Sequence, residues 1–258
     1  MDHQQLATML SIEKLVLSSK SLKSDPKRRF IANSLYKLCE DEKISDDVFG
    51  LTMNIFDQFV SKNSLIIDDR YCQLMTLTCY NLAKKLRTNI SVTNENEITS
   101  SIFLNEKYND QEIFDAEQLI IETLDWDLST VVPYDYISLL FQNILLPDID
   151  LAELRLHVRT LLSLTICALN TLTILPSILC GACLRIAIQR LSFSNLHYID
   201  DVILPKIHCN KSDLSRTQRL IEQIFQSQLQ YIRPSPPPRR CLAPIDTSNK
   251  PHSSPRVK

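Results

Sequence analysis

The segments NIFDQF (residues 54–59), LMTLTCYNLAKKL (74–86) and DAEQLIIETLDWDL (115–128) decide how this chain folds. All three belong to one helical pattern: apolar residues recur at spacings of three and four throughout the 258 residues, and strong period-two alternation is scarce. Such spacing gathers apolar side chains into a stripe along a helix, so the chain reads as all-α. Around the second segment Tyr71, Leu74, Met75, Leu77, Cys79, Leu82 and Ala83 cover more than one face. That predicts a central helix over 69–87, surrounded by the others.

Outward from these segments, helix starts are legible. Asp25-Pro26 places a cap and then proline at the first helical position before RRFIANSLYKLCE, and Ser45 precedes DDVFGLTMNIFDQFV. Asn94 with Glu97, and Asn109 with Glu112, have capping-box spacing, which predicts helices near 95–104 and 110–124. Five helices thus occupy roughly 27–126. After Val132-Pro133 the pattern begins again, with helices expected near 134–146, 151–169, 177–191, 199–208 and 213–231. The expected organisation is an N-terminal helix and linker (1–26), a first five-helix unit (27–131), a second (132–232), and a tail (233–258). The tail holds seven of the twelve prolines and little apolar material, so disorder is expected there.

Composition narrows the function. Two glycines, Gly50 and Gly181, are too few for a phosphate-cradling loop, which argues against nucleotide hydrolysis by this chain. The net charge of −2 is unevenly placed: Arg233, Arg239, Arg240, Lys250, Arg256 and Lys258 oppose Asp246 alone, leaving +5 on the tail and −7 on residues 1–232. An acidic body argues against a nucleic-acid-binding core, because phosphate neutralisation needs clustered Lys and Arg. The longest apolar run, LLSLTICALNTLTILPSILCGACL, is broken by Pro176 and polar residues and reads as two buried helices, not a membrane span. Eight cysteines within mostly apolar helical patterns, and a start (MDHQQLATML) without a basic or long apolar leader, read as a reduced intracellular protein. Cys180-Gly-Ala-Cys183 has C-x-x-C spacing without a second pair or nearby histidine to complete a zinc site, so two buried helical cysteines are expected. The five histidines are dispersed, and no catalytic, cofactor or metal constellation is readable.

Together the three opening segments resemble a cyclin box. Five positions match those that define it: Arg28, Asp57, Leu74, Lys85 and Glu117. The resemblance implies that Arg28 and Asp57 pair inside the box, that Leu74 is core, and that Lys85 and Glu117 face a cyclin-dependent kinase. There they would hold the kinase's mobile regulatory helix, whose glutamate must pair with the catalytic lysine. Taken singly, a helical Lys or Glu is most often a solvated charge; five matches in order on the expected helices favour the binding role.

The resemblance is nearest to the D-type (G1) cyclins and spans roughly residues 5–231. LDWDLSTVVPYDYISLLF, LATMLSIEK, LHVRTLLSLTICAL and PSILCGACLRIAI carry it beyond the first box. It implies a G1-type cyclin-dependent kinase as partner, with retinoblastoma-type substrates and kinase inhibitors behind it, no cofactor of the chain's own, and residence in nucleus and cytoplasm. Trp126, the sole tryptophan, is expected to pack and close the first box.

Departures mark a divergent member. Where cyclins carry a Met-Arg-x-Ile-x-x-x-Trp surface for substrate docking, this chain has KRRFIANS, leaving Lys27, Ile31 and Ser34 as a degenerate docking surface. Leu38-Cys39-Glu40 has the wrong spacing for the pocket-protein motif Leu-x-Cys-x-Glu. The tail is basic and offers a P-x-x-P-x-R pattern at 234–239, two Ser-Pro sites (Ser235, Ser254), and an Arg/Lys cluster that fits nuclear entry or simple solvation. Two rival readings stay open: a degenerate cyclin that binds a kinase without activating it, and a cyclin-fold transcription adaptor.

Overall fold

Helices begin where the sequence supplies a cap or a proline, and a computed structural model of the chain places nine of them, with one further helical turn, among its described residues. Those residues are 2–16, 26–63, 69–88, 108–128, 130–142, 144, 147–168, 171, 173–191, 201 and 203–232. The helices are α1 (Asp2–Val16), α2 (Pro26–Asp41), α3 (Asp46–Lys62), α4 (Asp69–Arg87), α5 (Asp110–Thr123), α6 (Asp135–Phe141), α7 (Asp148–Ala168), α8 (Pro176–Arg190) and α9 (Lys211–Ile232). Pro26 opens α2. Asn109 and Glu112 form the capping box of α5, each side chain meeting the other's backbone N–H at 2.8 and 3.0 Å. Ser45 stands at the start of α3 with extended backbone, but its side chain makes no cap bond.

The expected helix at 95–104 and the tail at 233–258 lie outside the described residues. The helix expected at 134–146 is shorter, ending at Phe141. Where the one expected at 199–208 is described, Asp201 and Ile203 stand in a wider π turn that runs into the α turn Leu204–Lys206. His208 enters the left-handed region at φ 50°, and its N–H and that of Cys209 bond back to Pro205 and Leu204, which closes the turn.

Helices α3 and α4 each bury ten residues. Helix α4 is apolar on several faces, as its pattern predicted, and it packs on α3 and α5, while α3 packs on α2, α4, α5 and α7. Buried Thr52, Thr76 and Thr78 keep their hydroxyls satisfied by donating to the carbonyl four residues back. Gly50 lets α3 approach the second unit, since a Cβ there would stand 2.7 Å from the Tyr134 ring.

One apolar core runs through both units, and polar ties cross the joint. Arg87 at the end of α4 grips Asp135 at the start of α6 through two bonds of 2.7 and 2.8 Å. Arg159 of α7 reaches Asp46 at 3.2 Å. Helix α1 adds a third element, burying Leu6 and Leu10. Its buried Glu13 accepts from the N–H and the hydroxyl of Ser177, at 2.9 and 2.6 Å. Leu175, at the start of α8, has no side chain that can do this, so Glu13 caps α8 from another helix.

Candidate partner-binding site

Arg28 lies on the first turn of α2 and Asp57 on the buried face of α3. The Nε and Nη2 of Arg28 each donate to one carboxylate oxygen of Asp57 at 2.7 Å, with the side chains only 8% and 3% exposed. Burial pushes the Asp57 carboxyl up, and the two bonds from Arg28 pull against that shift. The remaining Nη1 donates to the Ile166 carbonyl at 2.9 Å. Ile166 is in the last turn of α7, where carbonyls have no intrahelical donor. The guanidinium therefore fastens three helices, α2, α3 and α7. Sequence reading anticipated the pair but not the bond to the second unit, because nothing local in sequence marks which backbone carbonyl lies opposite. Leu74 sits in the core of α4.

Lys85, in the last turn of α4, and Glu117, mid-way along α5, meet at the surface with Nζ to Oε1 2.7 Å and exposures of 39% and 18%. Helix α5 is held firmly beneath them. At its start Arg70 binds Glu112 at 2.8 Å and lies over the Tyr108 ring. At its end Lys62 donates to the Thr123 carbonyl and binds Asp125 at 2.8 Å, which suits the negative end of a helix. Backbone and capping bonds from Asn109 and the Arg70 contact hold the Glu112 carboxyl below its ordinary range.

The structure overturns the packing role expected of Trp126, which is 77% exposed. Ile120 and Leu124 share the buried stripe of α5, and Trp126 is out of that register. Its position follows from the way α5 ends. The N–H of Trp126 bonds to Ile121 O at 2.9 Å and that of Asp125 to Glu122 O at 3.1 Å, with Asp125 in the left-handed region at φ 55°. This six-to-one, five-to-two closure folds Trp126 back beside Ile121. Residues three and four apart are neighbours on a helix, so Phe114, Glu117, Ile121 and Trp126 form one row along the edge of α5. Phe114 and Trp126 are exposed, and so is Leu86, which follows Lys85. The sequence did carry a signal for this: Asp-Trp-Asp places the ring between two charges, two residues beyond the last buried position.

The docking surface expected on α2 needs a related correction. Lys27 is exposed and binds Asp69 at 2.8 Å, and Ser34 is half-buried. Ile31, however, is 6% exposed and belongs to the core, while the apolar side chain presented on that helix is Phe30, 69% exposed. Ile31 shares its stripe with Leu35 and Leu38 at helical spacing, and Phe30 falls outside it.

Cys180 and Cys183 are buried on α8, and burial raises both thiols, which disfavours the thiolate a metal needs. Among the described residues no group of three His, Cys, Asp or Glu is placed to hold a metal, and no helix is long and apolar enough to cross a membrane.

The fold is thus two helical units whose surface carries a charged pair framed by exposed aromatics. The family model described as "Cyclin, N-terminal domain" matches residues 1–129, half of the sequence, and the chain belongs to the cyclin family, whose members are regulatory subunits. It is a divergent, D-type-like member. It is 28% identical to the G1/S-specific cyclin-D2 of Gallus gallus over 218 residues, covering 80% of this chain and 71% of that one. With the G1/S-specific cyclin-D1 of Xenopus laevis it shares 26% over 212 residues, with the same coverage of each chain. Among solved structures the fold is similar to a viral cyclin from herpesvirus saimiri, with a TM-score of 0.70 and 18% identity, covering 88% of this chain and 99% of that one. A chain of the CAK complex of Chaetomium thermophilum bound to ATP-gamma-S is also similar, with a TM-score of 0.53 and 18% identity, covering 89% and 81%.

Proposed function

We propose that this chain is the regulatory subunit of a G1-type cyclin-dependent Ser/Thr kinase, which it binds through the α4–α5 edge and activates to promote G1/S progression. The observation that carries the reading is the half-exposed Lys85–Glu117 pair, set in a row of exposed Phe114 and Trp126 on a helix pinned at both ends. Exposed aromatics beside a partly desolvated charge are the composition of an interface hot spot. A rigid α5 can hold the kinase's regulatory helix where its glutamate meets the catalytic lysine. ATP, magnesium and the phosphoryl transfer belong to the kinase. Arg28, Asp57 and Leu74 act as scaffold. The α2 face, with Phe30 beside Lys27 and Ser34, lacks the tryptophan of the usual docking surface, so retinoblastoma-type substrates and inhibitors would be engaged weakly there. The protein would act in nucleus and cytoplasm.

The test is affinity capture of tagged wild type and the Lys85→Ala/Glu117→Ala variant from the organism's own cells, with a kinase assay on each eluate. An active cyclin-dependent kinase captured by wild type and lost with the variant is the expected result. A captured but inactive kinase would refute activation, and transcription proteins without a kinase would refute the reading as a whole.

A further inference from the structure

From Tyr108 to Leu154 the chain has no Lys, Arg or His and has eleven acidic residues. In α5 and its closing turn, three of these acids meet cations: Glu112 with Arg70, Glu117 with Lys85 and Asp125 with Lys62. Asp115 and Glu122 bond instead to the neutral amides of Gln111 and Gln118, each at 2.7 Å, so their charges stay uncompensated by those partners. Both are exposed, on the side of α5 away from α3 and α4, the helices it mainly packs against. Between and beyond them Phe114, Leu119 and Trp126 are exposed. This face is acidic and apolar together.

The matching chemistry is in the same chain. Residues 233–258 carry +5 against −7 on the rest, and Arg239-Arg240 are followed directly by Cys241-Leu242 and, three residues on, by Ile245. Their attachment point is the end of α9. Extended, the segment reaches at most about 25 Å from Ile232 at Arg239 and about 90 Å at Lys258, so against a folded body about 45 Å across the distal Lys250, Arg256 and Lys258 have the longer reach. A tethered segment that reaches its site is held there at an effective concentration on the order of millimolar, so a weak site is enough.

We propose that residues 233–258 dock in cis on the outer face of α5, their arginines against Asp115 and Glu122 and their apolar residues against Phe114 and Trp126. The docking does not depend on any kinase. Its consequence rests on the proposed function: the docked tail covers the edge that the kinase would take, so the kinase must displace it.

Trp126, the sole tryptophan, is the reporter. Acrylamide quenching of its fluorescence is measured on the full-length protein, for wild type and for a variant with Arg239, Arg240, Lys250, Arg256 and Lys258 all changed to Ser. At low salt the tail shields Trp126 in wild type, and the variant's quenching constant is higher by about twofold. In about 0.5 M salt, where the screening length falls well below 10 Å, wild type rises to the level of the variant and the variant does not change. Equal quenching of the two proteins at low salt overturns the proposal, as does shielding in wild type that salt leaves intact. Shielding that grows with protein concentration assigns the occupant to a second copy's tail and overturns docking in cis. No kinase enters this measurement, so its outcome is separable from that of the capture experiment.

Discussion

Replacing Arg28 by Met leaves the Asp57 carboxylate buried without a cation and the Ile166 carbonyl without a donor. Breaking a buried ion pair on one side costs about 3–5 kcal/mol. An orphaned buried carbonyl adds about 1–3 kcal/mol. The two penalties overlap, since relaxation or a water relieves both, so a loss of about 4–6 kcal/mol is expected, against a whole-protein stability on the order of 5–15 kcal/mol. Arg28→Lys retains the charge but cannot reach both Asp57 oxygens and Ile166 from one planar fork, so it falls between. The informative variant is Arg28→Met/Asp57→Leu. It removes both charges and leaves only the carbonyl, so it should lie within about 2 kcal/mol of wild type. Urea unfolding of the full-length protein, followed by circular dichroism, measures all three. If the single Arg28→Met variant loses less than about 1 kcal/mol, the desolvation argument is wrong. If the double variant is as unstable as the single one, the stabilisation comes from packing or from the Ile166 bond, and the stranded charge is not its source.

Gly50→Ala should destabilise by about 1–3 kcal/mol, because the new Cβ meets a buried ring at the joint between the units. Gly181→Ala meets only side-chain tips, Ile207 at 3.0 Å and Leu214 at 3.5 Å, and a helix-propensity gain of about 1 kcal/mol makes it neutral or mildly stabilising. Thermal unfolding of the two variants side by side checks the contrast, and a reversed order would refute the packing argument. Glu13→Ala should cost about 1–2 kcal/mol by uncapping α8; hydrogen exchange at Ser177 and in the first turn of α8 should rise selectively. Glu112 has a depressed carboxyl, so its contribution is present above the ordinary value near 4.5 and is lost as pH falls through the lower folded value. Glu112→Gln should therefore reduce the acid sensitivity of thermal unfolding as pH falls below that ordinary value, and unchanged acid sensitivity would count against it.

Much of this fold was legible because its helix signals are local. Pro26, the Asn109–Glu112 box and the three-and-four spacing of apolar residues each act within one turn, and the structure places α2, α5, α7, α8 and α9 close to where they read. What was not legible depends on contacts distant in sequence. The apolar pattern of 46–62 has no way of reporting that α3 also packs on α7 of the second unit, since that contact joins segments about a hundred residues apart. Arg28 and Asp57 could be matched, but Ile166 is 138 residues from Arg28. The site was half legible for the same reason. Lys85 and Glu117 could be named, but not that they bind each other, and Trp126 was misplaced because composition assigns tryptophan to cores while its register on α5 assigns it to solvent. Ile31 and Phe30 repeat that lesson one residue apart.

The Arg28–Asp57 and Lys85–Glu117 pairs make the same chemical contact with opposite consequences. Arg28–Asp57 is buried, so either partner left alone is expensive, and the pair has no freedom to exchange. Lys85–Glu117 is wet on one side, where a pair is worth about 0–1 kcal/mol because water competes for both charges. A partner can separate these two residues at little cost and offer each a desolvated bond in return. Lys85→Ala/Glu117→Ala should therefore leave unfolding within about 1 kcal/mol of wild type while lowering kinase capture by about tenfold or more. Loss of capture together with loss of stability would mean that the variant fails by unfolding, and the binding role of the pair would then have no support from it. A stable variant that captures kinase like wild type would refute the role outright and move the binding surface away from the α4–α5 edge.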